Sequence, residues 1–244
     1  MVSLQETSTA LYGAWRLARL DPQGLSYFDT SERGFWRSFW AAVLVAPAYA
    51  LIVALDRADD PMPVDALRQF LVEGISYVLS WTAFPLAMAS LAEKLGRMSH
   101  YIRYIVAHNW AAVLEMTALL PAVILSTNTP GLTELPILVA CAMFAYQWYV
   151  ARTALALDPL QAILPVALNF GIGLVLGFAA RALLAASPAP APMIDPDAAV
   201  QTPADHAQVI GAPADADAFT VHLLPESFAE FRDRVAALRQ QDPF

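Results

Sequence analysis

The chain has 244 residues, of which 58% are hydrophobic and 15% charged, and its formal net charge is −8. This apolar content exceeds the roughly 45–50% usual for a soluble domain, so water is excluded as the solvent for most of the chain. Residues 187–244 hold nine acidic residues and three arginines and therefore carry −6 of that charge. The remainder has no basic stripe with interleaved aromatic residues, which excludes a nucleic-acid partner.

The N-terminal segment, residues 1–34, precedes the first long apolar run and is predicted to be cytoplasmic. Four apolar residues in it recur at helical spacing, namely Leu4, Leu11, Trp15 and Ala18. This spacing predicts an amphipathic helix that lies at the membrane interface, and a helix packed on the bundle fits equally well. Asp29 and Glu32 have the spacing of a capping box before the first apolar run.

Five apolar runs follow, at residues 35–55, 70–92, 101–125, 132–155 and 160–184. Each is long enough to cross a membrane, because about 20 helical residues cover roughly 30 Å of hydrocarbon. None of them alternates polar and apolar residues as the strands of a membrane barrel do. The sequence therefore predicts an all-α fold, a polytopic bundle of about five transmembrane helices over residues 35–185.

The distribution of Lys and Arg among the short loops predicts the orientation of this bundle. Eight basic residues fall on the side of the N-terminus: Arg16, Arg19, Arg33, Arg37, Lys94, Arg97, Arg103 and Arg152. Only Arg57, Arg68 and Arg181 fall on the other side. The predicted location is a bacterial inner membrane, with the N-terminus cytoplasmic and the C-terminal tail periplasmic.

Polar residues within the predicted spans form the candidate site. Glu115 lies near the middle of the third span, where an ionisable group costs about 3 kcal/mol unless it is paired, hydrated or neutral. His108 precedes it by seven residues and projects from a similar face, with Asn109 adjacent. Gln147 and Asn169 are the predicted partners on other helices, because amides hydrogen-bond a carboxyl group. The set indicates a proton relay or solute site, or a contact that only holds helices together.

The fifth span carries a small-residue motif, Gly173-x-x-x-Gly177. Such a motif predicts close packing of another helix, either within the chain or from a second copy in a homodimer. Every span also contains a proline: Pro47, Pro85, Pro121, Pro136 and Pro165. Prolines that break helices line binding sites in some transporters, but they are common in membrane bundles generally.

Sequence signatures of catalysis are missing from the chain. No zinc-peptidase signature, nucleophile elbow or phosphate-binding loop occurs in it. His100 and His108 have no further His or Cys nearby that would complete a metal site, and Cys141 is the only cysteine. The sequence therefore predicts no catalytic residues, no metal and no cofactor.

Composition changes abruptly after the fifth span. Residues 186–218 are rich in Ala, Pro and Asp and are predicted to form a disordered linker. Residues 219–244 are predicted to form a short amphipathic segment whose apolar face consists of Phe228, Phe231, Val235 and Leu238. Because so short a segment cannot fold alone, it is predicted to dock on a periplasmic protein.

Three functions are compatible with this organisation. The favoured one is a non-enzymatic scaffold or tether that reaches a partner through its C-terminal segment. The second is a small permease or proton-coupled transporter built on Glu115, His108 and Asn169. The third is a membrane enzyme, for which the sequence offers no candidate catalytic constellation. Membrane lipid is a predicted partner in all three.

Overall fold

Seven α-helices run through residues 2–59 and 65–186, which are the residues that this computed structural model describes. They are α1 Leu4–Ala18, α2 Glu32–Ser38, α3 Trp40–Asp59, α4 Ala66–Lys94, α5 Tyr101–Asn128, α6 Leu135–Leu155 and α7 Ile163–Ala185. Short 3-10 segments at Pro22–Tyr27 and Met98–His100 precede α2 and α5. The described residues contain no strand, so the all-α prediction is confirmed.

Five stretches of the described chain are long and apolar enough to cross a membrane: Glu32–Arg57, Ala66–Lys94, Met98–Asn128, Leu135–Leu155 and Ile163–Ala185. The prediction of a polytopic bundle with five transmembrane helices is therefore confirmed. The predicted linker, apart from residue 186, lies outside the described residues. So does the predicted docking segment, with Phe228, Phe231, Val235 and Leu238.

The prolines differ in their effect on the helices. Pro47, Pro85 and Pro121 lie inside α3, α4 and α5. Pro136 and Pro165 instead occupy the first turns of α6 and α7, where a missing N–H leaves no helical hydrogen bond unmade. Backbone carbonyl groups are therefore freed within three of the spans rather than five.

The core lies towards one end of the bundle, here named the α1 end because α1 and α2 pack there against α5. Residues 104–111 of α5 are all buried, and they are surrounded by α1, α2, α3 and α6. Arg103 ties α5 to α6 by donating from Nε to the carbonyl oxygen of Ala154 at 2.8 Å. The opposite end, named the far end, carries the last residues of α3 and α5 and the first residues of α4 and α6.

The N-terminal helix α1 packs on the bundle through small side chains. Ala10, Gly13 and Ala14 are buried, and the Tyr146 hydroxyl of α6 donates to the Ala14 carbonyl at 2.9 Å. Leu4 and Trp15, from the predicted apolar face, are 91% and 53% exposed. Leu11, also from the predicted face, packs partly buried against the core, and the small residues beside it allow α1 to approach the bundle closely. Whether the exposed part of that face lies at a membrane interface stays a prediction.

The first spanning helix begins with a different cap from the predicted one. Ser31 is the N-cap of α2, since its hydroxyl accepts a hydrogen bond from the Gly34 N–H at 3.0 Å. Asp29 lies outside the helix and accepts from the Ser31 N–H at 3.0 Å. The prediction of Asp29 as the cap was therefore wrong by two residues, although its carboxylate orients the residue that does cap.

Candidate functional site: a polar cavity inside the bundle

The predicted polar residues of α5, α6 and α7 line one cavity in the membrane-spanning part of the bundle. Its volume is about 160 Å³. Ten residues line it: Ser80, Trp81, Phe84, Pro85, His108, Asn109, Ala112, Glu115, Gln147 and Asn169. The structure thus brings together all five residues that the sequence suggested, although they come from three separate helices. It also adds a wall from α4, which the sequence did not indicate.

His108 is held in a fixed orientation at this cavity. Its Nδ1 atom lies 2.9 Å from the side-chain oxygen of Gln147 on α6, and both residues are buried. The Phe84 ring lies against the imidazole with centroids 4.4 Å apart, and the Tyr104 ring lies at 5.8 Å. Because an amide oxygen only accepts, Nδ1 donates in this geometry, and a neutral imidazole keeps Nε2 as an acceptor.

The side chain of Asn109 forms its hydrogen bond with α2 and not with the amides of α6 and α7. Its Nδ2 atom donates to the hydroxyl of Ser38, at the end of α2, at 2.8 Å, and Asn109 is only 1% exposed. Ser38 in turn donates to the Phe35 carbonyl at 2.7 Å. Asn109 therefore links α5 to the start of the first span while it also borders the cavity.

Glu115 lies near the middle of its span, 14 residues from Tyr101 and 13 from Asn128, or about 20 Å from each end. Its Oε1 atom is buried and has no hydrogen-bond partner among the described residues. An ionised carboxylate without a hydrogen-bond partner has a high free energy in hydrocarbon. Glu115 therefore requires a water molecule, a proton or a cation at this position. The cavity beside it supplies room for such an occupant.

The backbone of α4 adds a further acceptor to the cavity. Pro85 has no N–H, so the carbonyl of Trp81, one turn earlier, has no helical partner. Both residues line the cavity. The Pro85 carbonyl itself accepts from the Tyr101 hydroxyl at 2.9 Å, which ties this irregular part of α4 to the start of α5. Pro85, a proline inside a predicted span, was the feature of the sequence that could have indicated the α4 side of the cavity.

The cavity wall carries one carboxyl group, that of Glu115, among neutral side chains that both accept and donate hydrogen bonds. Trp81 and the amide groups of Gln147 and Asn169 can donate, the amide oxygen of Asn169 can accept, and none of the ten lining residues is a Lys or Arg. The volume of the cavity is enough for about five water molecules at roughly 30 Å³ each. Such a cavity can hold water, take up a proton at Glu115, or bind a small solute that donates hydrogen bonds.

The predicted packing face of α7 is not covered by another helix of the described chain. Gly173 and Gly177 are exposed, and a Cβ atom added at either would meet no described side chain or neighbouring helix within 4 Å. Packing of a second copy of the chain on this face stays a prediction. Residues 2–59 and 65–186 also contain no cluster of three or more His, Cys, Asp or Glu side chains that could hold a metal ion.

Fold and site together define a polytopic α-helical membrane protein with a polar cavity lined by residues of α4, α5, α6 and α7. Comparison of the chain with protein-family models, curated proteins and solved structures found no match.

Proposed function

We propose that this chain is a small permease of a bacterial inner membrane that exchanges protons for a small cationic solute through the polar cavity. Support for this proposal comes above all from Glu115, whose Oε1 is buried, unpartnered within the described structure, and next to a cavity that can hold an occupant. A carboxyl group in that position can alternate between binding a proton and pairing with a cation.

Comparison with a second intramembrane carboxylate supports this choice of residue. Glu73 on α4 is neutralised by Arg57 of α3, whose Nη2 atom lies 2.9 Å from Glu73 Oε1. Glu73 therefore has a structural partner, whereas Glu115 Oε1 has none among the residues described. Among the described residues Glu115 forms no ion pair and its Oε1 has no hydrogen-bond partner, so it is the intramembrane carboxylate available for exchange.

The cavity also favours a particular class of solute. Its single carboxyl group, with no Lys or Arg among the lining residues, suits alkali cations or small primary ammonium ions and disfavours anions. The proposed orientation, with the N-terminus cytoplasmic and the C-terminus periplasmic, follows from the excess of Lys and Arg on the side of α1.

Everted membrane vesicles provide a test that works even though the solute is unidentified. Vesicles are acidified by respiration, and the pH gradient is followed with a fluorescent weak base while Na⁺, K⁺, methylammonium or ethanolamine is added. At least one of these cations should dissipate the gradient in vesicles with the native protein, and Glu115→Gln should abolish this response. Glu134→Gln, at an exposed position before α6, is the matched control and should respond like the native protein.

Two results would contradict the proposal. One is a gradient that none of the four cations dissipates beyond the level of vesicles without the protein. The other is an unchanged response in Glu115→Gln at equal protein content.

The scaffold function that the sequence favoured depends on residues 219–244, which lie outside the described residues. It stays a prediction, and it fails if deletion of residues 219–244 leaves every co-purifying protein in place. The membrane-enzyme alternative likewise stays without a catalytic candidate.

A further inference from the structure

A second feature of the bundle lies between α3 and α4, and Glu73 is one of the residues that line it. There the two helices diverge and leave an apolar groove of about 390 Å³. The α3 side of the groove is lined largely by small residues, Ala46, Ala50, Val53 and Ala54, and the α4 side includes Phe70 and Gly74.

The dimensions of this groove match one leaflet of a bilayer. Along α4 it extends from Ala66 to Tyr77, which corresponds to about 16 Å of helix. Half of a hydrocarbon core of roughly 30 Å is about 15 Å. The rings of Tyr49 and Tyr77, with centroids 4.8 Å apart, close the deep end. A groove of this length between two spanning helices fits a single acyl chain.

Beside the groove, between α3, α4 and α7, lies a polar cavity of about 200 Å³. Val53 and Glu73 line both cavities, and Arg57 and Arg181 line the polar one. The two guanidinium groups therefore line a cavity that shares a wall with the groove, and basic pockets between spanning helices bind lipid headgroups.

Both arginines have N–H groups that can donate to a further acceptor. Arg57 pairs with Glu73 through Nη2, but its Nε atom is buried and has no partner among the described residues. Arg181 lies 3.8 Å from the Asp56 carboxylate, and both side chains are mostly exposed, at 70% and 62%. An exposed ion pair at this distance contributes little to stability. The Asp56 side chain can therefore turn towards water when another anion binds Arg181.

We propose that this groove is a phospholipid-binding site, in which one acyl chain occupies the space between α3 and α4 and Arg57 and Arg181 bind the phosphate. Phosphate oxygens accept strong, charge-assisted hydrogen bonds from guanidinium groups, which would satisfy the orphaned Nε of Arg57. The site is separate from the cavity at Glu115 and does not depend on the permease function.

Lipid retention by the purified full-length protein tests the proposal. Native mass spectrometry and thermal unfolding are measured in mixed micelles that contain dioleoylphosphatidylglycerol, dioleoylglycerol or inorganic phosphate alone. The phospholipid should be retained and should raise the unfolding temperature, whereas dioleoylglycerol and phosphate should do so weakly.

Two surface variants and one matched control locate the site. Arg181→Gln removes one phosphate donor, and Gly74→Leu fills the groove at a helical position where an added side chain meets no described atom within 4 Å. Each should weaken phospholipid binding about tenfold, as expected for the loss of one strong contact. Gly171→Leu, an equally open glycine on α7 that lines neither cavity, should bind like the native protein.

Equal stabilisation by dioleoylglycerol or by phosphate alone would overturn the proposal, because the groove and the arginines would then not act together. Native binding by both Arg181→Gln and Gly74→Leu, with helical content unchanged by circular dichroism, would overturn it as well.

Discussion

The Nδ1 atom of His108 and the side-chain oxygen of Gln147 lie 2.9 Å apart, joining α5 and α6 inside the membrane-spanning part of the bundle. Both residues are less than 10% exposed. The contact fixes which nitrogen of the imidazole donates, and it positions one wall of the cavity that contains Glu115. The geometry of the site therefore depends on a hydrogen bond between two uncharged side chains.

Substitution of Gln147 by Leu should destabilise the bundle. It removes the acceptor of His108 Nδ1 and leaves a buried donor unsatisfied, at a cost of about 1–2 kcal/mol. The free energy of unfolding can be measured by titrating SDS into mixed micelles. Gln161→Leu, at an exposed position before α7, is the control and should leave the midpoint unchanged. Equal midpoints for the two variants would show that the His108–Gln147 contact contributes nothing to stability.

Substitution of Gly24 by Ala should loosen the N-terminal segment. A Cβ atom at Gly24 would lie 2.5 Å from the Gly13 carbonyl oxygen and 3.0 Å from Leu17, so the 3-10 segment would have to move away from α1. Overpacking of this kind costs about 1–3 kcal/mol. Amide hydrogen exchange over residues 4–18 should accelerate, whereas exchange over α6 should not. Unchanged protection of α1 would contradict the close contact between the two glycines.

Acid should loosen the same segment through Asp21. The pKa of Asp21 is lowered because its carboxylate accepts a hydrogen bond from the Gln23 N–H and is also bound by Arg16. A lowered pKa stabilises the folded state above the unfolded value of about 3.9, and this contribution is lost as pH falls through the folded pKa.

Pepsin cleavage of residues 4–18 between pH 5 and pH 2 measures this effect. Asp21→Asn should be cleaved faster than the native protein near pH 5, and the two rates should converge towards pH 2, because the native carboxylate is then protonated as well. A constant ratio of the two rates across this range would mean that the titration of Asp21 does not stabilise the segment.

The number of spanning helices and five of the ten residues that line the cavity could be predicted from the sequence. Length and apolar composition fix the spans, because hydrocarbon thickness sets a minimum helix length. The seven-residue spacing of His108 and Glu115 places both on a similar face, and polar residues inside a membrane are expected to face one another. Gln147 and Asn169 are predictable on the same ground, since each is an amide within an apolar span.

The packing partners could not be predicted in the same way. In a membrane both lipid and protein surroundings are apolar, so the apolar pattern of α1 does not reveal which face contacts the bundle. Leu4 and Trp15 of the predicted apolar face are exposed, whereas Leu11 of that face packs against the core together with Ala10, Ala14 and Leu17. Likewise, Asn109 pairs with Ser38, 71 residues earlier, a contact that only the tertiary structure reveals.

The central claim is that water and small solutes reach the cavity beside Glu115, and thiol labelling tests it most directly. In a Cys141→Ser background, Ala112→Cys places a thiol on the cavity wall, and Ala118→Cys places one at an exposed position of the same helix that does not line this cavity. A thiol reacts through its thiolate, which requires water, so a water-soluble cationic methanethiosulfonate should modify the cysteine at 112 in liposomes and not the one at 118. If neither cysteine reacts, or both react equally, the cavity is not a hydrated site and the permease account is contradicted.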